Sequence, residues 1–414
     1  MISKKFGNNN IKNMLFIYDF LCFIIFRFFF SKKVEILAPC GKLYSDFKQN
    51  NFLVRINNPI KFIYYTLTRG ELGLGESYSL NYWNLERGDL GEFLTFCGEH
   101  FVDDSGSTIF CKLKKFLPFE WFRLLFFRWK KTHDFNQAKE AVKQAYDDVD
   151  SELYNEMLDE KFMQYTSGVY ETDETTLEEA QIRKMELLLE KADLPDTKTR
   201  ILDIGCGWGG LLHYGTSTRK NMEGVGITNS SMMHRETLER ASLTNLPFTA
   251  ERCDFRNINP LLGKFNAIFS VEMIEAIGVN LYNDFARICH EFCLSNGKVV
   301  LQVINTTTPV TKERKPHDSF VLTHIFPGCQ IPSVEQITES MNIYFDTVSV
   351  EHFGKDYAKT LLDWRKRLIE NRKKITHVEE RIIRGFEYYL SWCEAGFNLG
   401  MLNVSQLSFS PKLF

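Results

Sequence analysis

Asp203 and four glycines, Gly205, Gly207, Gly209 and Gly210, crowd into the run Ile-Leu-Asp-Ile-Gly-Cys-Gly-Trp-Gly-Gly at residues 201–210. Glycine accepts positive φ and leaves the backbone bare, so a ligand can come close to the amide groups. A helix beginning at about Gly209 aims its first N–H groups over the loop, and Asp203 adds a carboxylate at the strand end. This is the chemistry of a nucleotide site. The Gly-x-Gly-x-x-Gly spacing of a pyrophosphate loop is also met by Gly205, Gly207 and Gly210. A dinucleotide domain puts an acid at the end of the next strand for the ribose, but that strand ends here in Thr228, Asn229 and Ser230. An adenosine ligand carrying a methyl sulfonium fits as well as a dinucleotide does. A ligand-free glycine turn is the plain alternative.

The elements that must position these residues are readable from patterning. Strands are expected at Arg200 to Ile204, Gly224 to Ile227, Phe248 to Arg252 and Ala267 to Val271, with an apolar helix at Glu178 to Ala192 leading in. The third strand delivers Cys253 and Asp254, and the fourth ends in Glu272 and Glu275. Strands alternating with helices predict an α/β class fold with a doubly wound sheet, its ligand crevice along the carboxyl edge. Residues 1–33 form an apolar leader, 34–110 a small mixed α/β domain, 111–150 helical connectors, and 151–414 the domain that holds the glycine loop. The segment from Pro309 to Pro332 and the helical stretch Lys355 to Cys393 are expected to cover the site.

A chain of 414 residues with 44% hydrophobic residues buries a large core, and a net charge of -3 excludes disorder and nucleic-acid binding by overall charge. Ten cysteines include no Cys-x-x-Cys. Cys289 and Cys293 lie one helical turn apart, but no histidine cluster completes a zinc site, so no metal is expected. The thiols read as reduced, in a cytosol-facing protein. Met14 to Phe30 is almost wholly apolar, broken by Asp19 and Arg27. At the short limit for a membrane span, it carries two charges that each cost about 2.5–3.5 kcal/mol near a bilayer centre. An interfacial helix is favoured, with a true span as the alternative. From Lys112 to Lys131, lysines and arginines interleave with phenylalanines and tryptophans, which suits an anionic phospholipid surface or a buried connector helix.

The runs LDIGCGWGG, GVGITNSS, CDFRNINP and SVEMIEAIG together resemble the cyclopropane fatty acid synthase family of S-adenosylmethionine-dependent methyltransferases. IFPGCQIPS at 325–333, HFGKDYAKTLLDWRKR at 352–367 and EYYLSWCEAGF at 387–397 extend the likeness, and GELGLGESYSLNYW at 70–83 is similar to the small N-terminal domain of long members. The resemblance covers about residues 34–411. It implies a Rossmann-like methyltransferase sheet and S-adenosylmethionine as the methyl donor. It implies a cofactor site at Tyr165, Thr166, Asp203, Gly205, Cys206, Gly207, Trp208, Gly209, Thr228, Asn229, Met233, Cys253 and Asp254, with Asp254 near the adenine and Thr228 and Asn229 near the ribose. It also implies a bicarbonate ion as the base, held at Ser167, Glu275, Gln302, Ile304 and Tyr357. Glu275 is the leading catalytic candidate, since a carboxylate there orients bicarbonate and stabilises a nearby cation.

The chain departs from the family pattern at four positions. Ser167 replaces a cysteine, Met233 a glutamine and Ala145 a histidine, and Gln302 stands where many bacterial members have histidine. The implied reaction is attack of an alkene on the sulfonium methyl, acting on unsaturated phospholipid acyl chains and giving cyclopropane or methyl-branched fatty acids. The alternatives are a small-amine N-methyltransferase on the same scaffold and a lipid-binding homologue without turnover. The expected setting is cytoplasmic and peripheral on a membrane surface, with no nucleic-acid partner; the oligomeric state stays open, a homodimer being one of the assemblies.

Overall fold

A computed structural model of the chain describes residues 17–27, 34–45, 51–101, 151–307 and 319–412. The chain divides into two compact units, and neither is continuous. One comprises Met1–Leu153, Pro316–Pro327 and Arg372–Ala395; the other comprises Tyr154–Lys315, Gly328–Asn371 and Gly396–Phe414.

The first unit holds a small mixed sheet of β1 (Val34–Leu37), β2 (Leu43–Tyr44), β3 (Phe52–Ile56) and β4 (Trp83–Arg87) in the order β2-β1-β3-β4. Alternate residues of β1 and β3 are buried, the period-two pattern of a half-covered sheet. Helix α1 spans residues 17–27, α2 is Pro59–Ser79 and α3 is Leu90–Phe101. Asn58 caps α2 by accepting from the Lys61 N–H, Pro59 suits the first turn, and Gly70 at φ 59° kinks the helix. The expected continuous domain over 151–414 gives two segments to this unit. The reason is aromatic packing: the Phe320 and Tyr388 rings meet at 5.1 Å, and a Cβ at Gly75 would stand 2.6 Å from both. Arg384 in helix α9 (Glu380–Asn398) then donates to the carbonyls of Tyr78 and Trp83.

Asp19, which interrupts the apolar leader, is paired within this unit. It accepts from Tyr44 Oη at 2.6 Å and from Lys42 Nζ at 2.9 Å. Cys22, Ile25 and Phe26 of α1 are buried, while Ile17, Phe20 and Phe23 are exposed. Among the described residues, no helix is long and apolar enough to cross a membrane. The basic-aromatic stretch 112–131 lies outside the described residues.

The second unit is a seven-stranded sheet of β5 (Thr199–Ile204), β6 (Met222–Thr228), β7 (Phe248–Arg252), β8 (Phe265–Val271), β9 (Cys293–Thr306), β10 (Phe345–His352) and β11 (Leu402–Pro411). Its order is β10-β11-β9-β8-β5-β6-β7, parallel from β9 through β7 and antiparallel at β10 and β11. The chain thus winds outward in both directions from β5 and β8, and a crevice opens at their carboxyl ends. β5 is buried on both faces over Ile201–Ile204, as expected of a central parallel strand. Full burial of Leu202 and Ile204 contributes about 1.5–3 kcal/mol each. Helix α4 (Leu177–Lys191) starts at a Thr176–Glu179 capping box and buries Met185, Leu188 and Leu189 on one face. Helices α5 (Gly210–Thr218), α6 (Ser231–Thr244) and α7 (Tyr282–Phe292) follow, and α8 (Gly354–Glu370) crosses back near the C-terminus.

Candidate active site

β5 runs into the glycine loop, and the N–H groups of Gly205 and Cys206 donate to Ile227 O at 2.8 and 3.0 Å, tying the loop to β6. Gly205, Gly207 and Gly209 have φ of 87°, 54° and 73°. Their roles differ. A Cβ at Gly209 would lie 2.6 Å from Thr237 Cγ2, and one at Gly210 would lie 2.1 Å from Phe162 O, so both serve close packing. At Gly207 nothing stands within 4 Å, which leaves the backbone open to a ligand.

A cavity of about 610 Å³ lies at this edge. Tyr165 and Thr166 form part of its wall, with Asp203, Gly205, Cys206, Gly207 and Trp208 from the loop. Thr228, Asn229 and Met233 follow from the end of β6, and Cys253 and Asp254 from the end of β7. Of the positions expected for the cofactor, only Gly209 does not line it. Asp254 is already engaged, since Arg256 donates to both of its oxygens and holds the carboxyl below the usual carboxylate range. Asp203 Oδ1 and Trp208 Nε1 are buried and have no partner among the described residues. A buried acceptor and donor left open beside a cavity fit a polar ligand with a cationic group.

Burial pushes the Asp203 carboxyl up to about 7, opposed by the nearby Lys184 charge. Lys184 is fully buried on α4, donates to Thr166 Oγ1 at 2.8 Å and to Gln164 Oε1, and is pushed down by burial to about 8. The sequence reading missed this lysine. Its signal was a basic residue at the apolar spacing of α4, between Ala180, Gln181 and Leu188.

The expected bicarbonate ligands converge, but on another group. Glu272 follows β8 with φ 52°, a left-handed conformation that costs a side-chain-bearing residue about 1–2 kcal/mol. Its Oε1 accepts from the Ser167 N–H at 2.9 Å and from Gln302 Nε2 at 2.7 Å, and its Oε2 accepts from Tyr357 Oη at 2.7 Å. Gln302 is itself held by Gln406 Nε2, which donates to its Oε1 at 3.0 Å. The Ile304 N–H donates instead to Glu275 Oε1 at 2.5 Å, and Glu275 Oε2 is buried without a partner among the described residues. Burial and the Glu272 charge push the Glu275 carboxyl up to about 8, and burial raises Glu272 despite its three donors. Of these residues only Glu272 lines the cavity. The donor atoms assigned to bicarbonate are occupied by a carboxylate of the chain, so this arrangement does not fit the ion. Glu272 was legible as a strand-end acid but not as the centre of this cluster.

The family model described as mycolic acid cyclopropane synthetase matches residues 133–407. The chain is 31% identical over 360 residues to cyclopropane-fatty-acyl-phospholipid synthase of Escherichia coli K12, covering 86% of this chain and 87% of the relative. It is 26% identical to methoxy mycolic acid synthase MmaA3 of Mycobacterium tuberculosis over 64% of this chain and 93% of the relative. Among solved structures, mycolic acid cyclopropane synthase CmaA1 complexed with SAH and CTAB aligns at a TM-score of 0.58 and 25% identity, over 65% of this chain and 97% of its own.

Proposed function

Because the chain belongs to the mycolic acid cyclopropane synthetase family, it is an S-adenosylmethionine-dependent C-methyltransferase, and we propose that its acceptor is the double bond of an unsaturated acyl chain in a phospholipid. The observation that carries this reading is one cavity in which the glycine loop and the buried Glu272 carboxylate share a wall. The sulfonium supplies an electrophilic methyl group and a neutral thioether leaving group. An alkene is a weak nucleophile, so the chain must align the partners and exclude water. Tyr165, Thr166, Asp203, Trp208, Thr228, Asn229, Met233 and Cys253 hold the donor in this proposal, with Gly205, Cys206 and Gly207 giving it bare backbone. The Glu272 carboxylate on the cavity wall lowers the energy of the alkyl cation formed after methyl transfer. A base must then take one proton.

The acceptor is delivered from a membrane surface in the same proposal. Ile17, Phe20 and Phe23, 50%, 55% and 45% exposed, give α1 an apolar outer face for interfacial contact.

The deciding experiment incubates the purified protein with methyl-labelled S-adenosylmethionine and monounsaturated phospholipid vesicles, then weighs the acyl chains by mass spectrometry. A gain of one labelled methylene is expected, and hydrogenation separates a ring from a branch. Unaltered acyl chains with donor binding intact would refute the acceptor. Sedimentation of the same vesicles should carry the protein down, and protein left in the supernatant would remove the membrane contact.

A further inference from the structure

We propose that Glu272 itself is the base of this methyl transfer, its carboxylate standing where the resemblance implies bicarbonate. The inference rests on the methyltransferase reading above. A carboxylate and a bicarbonate ion share a planar O–C–O fork with one negative charge, so donors arranged for one receive the other. The Ser167 N–H, Gln302 Nε2 and Tyr357 Oη, three of the five expected ion ligands, all donate to Glu272. The remaining two, Ile304 and Glu275, bond to each other. Ser167, Gln302 and Tyr357 are thus engaged by a carboxylate of the chain.

Three further features fit a base and not a spacer. Glu272 holds a positive φ that glycine adopts at no cost, and such strain persists where the surrounding structure overrides it, often at a working site. It lines the cavity, whereas Glu275 does not. Its Oε1 accepts two hydrogen bonds but its Oε2 only the one from Tyr357, so a lone pair remains on Oε2 among the described residues.

The step balances. The alkene π pair forms a bond to the methyl carbon, and the S–C pair leaves with sulfur. Glu272 Oε2 then takes a proton from the transferred carbon, and the C–H pair closes the ring. The proton leaves the carboxyl to solvent with the products. Tyr357 and Gln302 act as positioning residues through Glu272.

The test begins with the wild-type chain in carbon-dioxide-free buffer. Turnover is expected to stay unchanged when bicarbonate is restored, and ¹³C-labelled bicarbonate should show no saturable binding by NMR. Glu272→Gln should lose at least about 100-fold in turnover while S-adenosylhomocysteine affinity holds. Glu272→Gly suits the backbone, frees the three donors, and should both bind labelled bicarbonate and regain turnover when it is added. Wild-type turnover that depends on bicarbonate, saturable bicarbonate binding by the wild type, or full turnover in Glu272→Gln would overturn the proposal. If the wild type binds S-adenosylhomocysteine but alters no lipid, the acceptor reading fails. The bicarbonate-binding contrast between wild type and Glu272→Gly then still judges the role of Glu272.

Discussion

Donor binding should release a proton, with Asp203 as its main source. This carboxyl is buried, lines the cavity and sits at about 7, far above its ordinary 3.8. The folded chain therefore holds the proton longer than the unfolded one, and stability falls as pH rises from about 4 to 7. A bound cation favours the ionised form and reverses that loss. The affinity of S-adenosylhomocysteine, whose ammonium is its cation, should rise with pH through 7. About one carboxyl in ten is ionised at pH 6 and about nine in ten at pH 8, so affinity should change roughly tenfold, about 1.4 kcal/mol. Lys184, pushed down to about 8, acts in the same direction, because a second cation nearby favours its neutral form. Calorimetry in buffers of different ionisation enthalpy reads both affinity and proton release. Asp203→Asn should remove the component centred near 7 and keep the higher one. A flat affinity between pH 6 and 8, with no proton released, refutes the reasoning.

Tyr357→Phe deletes one donor to a buried charge, worth about 1.5–3 kcal/mol, and should lower kcat about 10–100-fold. Tyr357 does not line the cavity, so donor affinity should stay level; equal loss in binding and kcat would argue for simple misfolding. Gly209→Ala should cost about 2 kcal/mol through its positive φ and the Thr237 methyl 2.6 Å away, lowering Tm by about 4–8 °C. An unchanged melt would show that the loop relaxes around a methyl group.

Part of the sheet was legible because β5, β6 and β8 carry apolar residues up to a glycine or a polar cluster at their carboxyl ends. The expected Phe248 to Arg252 coincides with β7, and Ala267 to Val271 falls inside β8. The cavity wall was legible for a related reason: many of its residues sit at strand ends, within a few positions of a pattern. Glu272 was harder to read because its partners are remote, Ser167 by 105 positions and Tyr357 by 85. Nothing local marks that three donors meet there. Gly209 shows the opposite case, since nothing in the sequence tells that its missing Cβ makes room for the Thr237 methyl group. The split of the chain into interleaved units was equally hidden, because Phe320 and Tyr388 read as ordinary apolar positions.

That interleaving has a consequence for how the protein is made. The first unit needs residues 372–395, so it stays incomplete on the ribosome until synthesis has passed residue 395. Until then helix α2 lacks the aromatic side chains that pack against Gly75 and Tyr78, a state in which exposed apolar surface invites aggregation or chaperone capture. Nor can recombination exchange the two units as cassettes. A genetic cut anywhere between residues 101 and 151 leaves the N-terminal piece without Phe320 and Tyr388, and strands those residues in the other product.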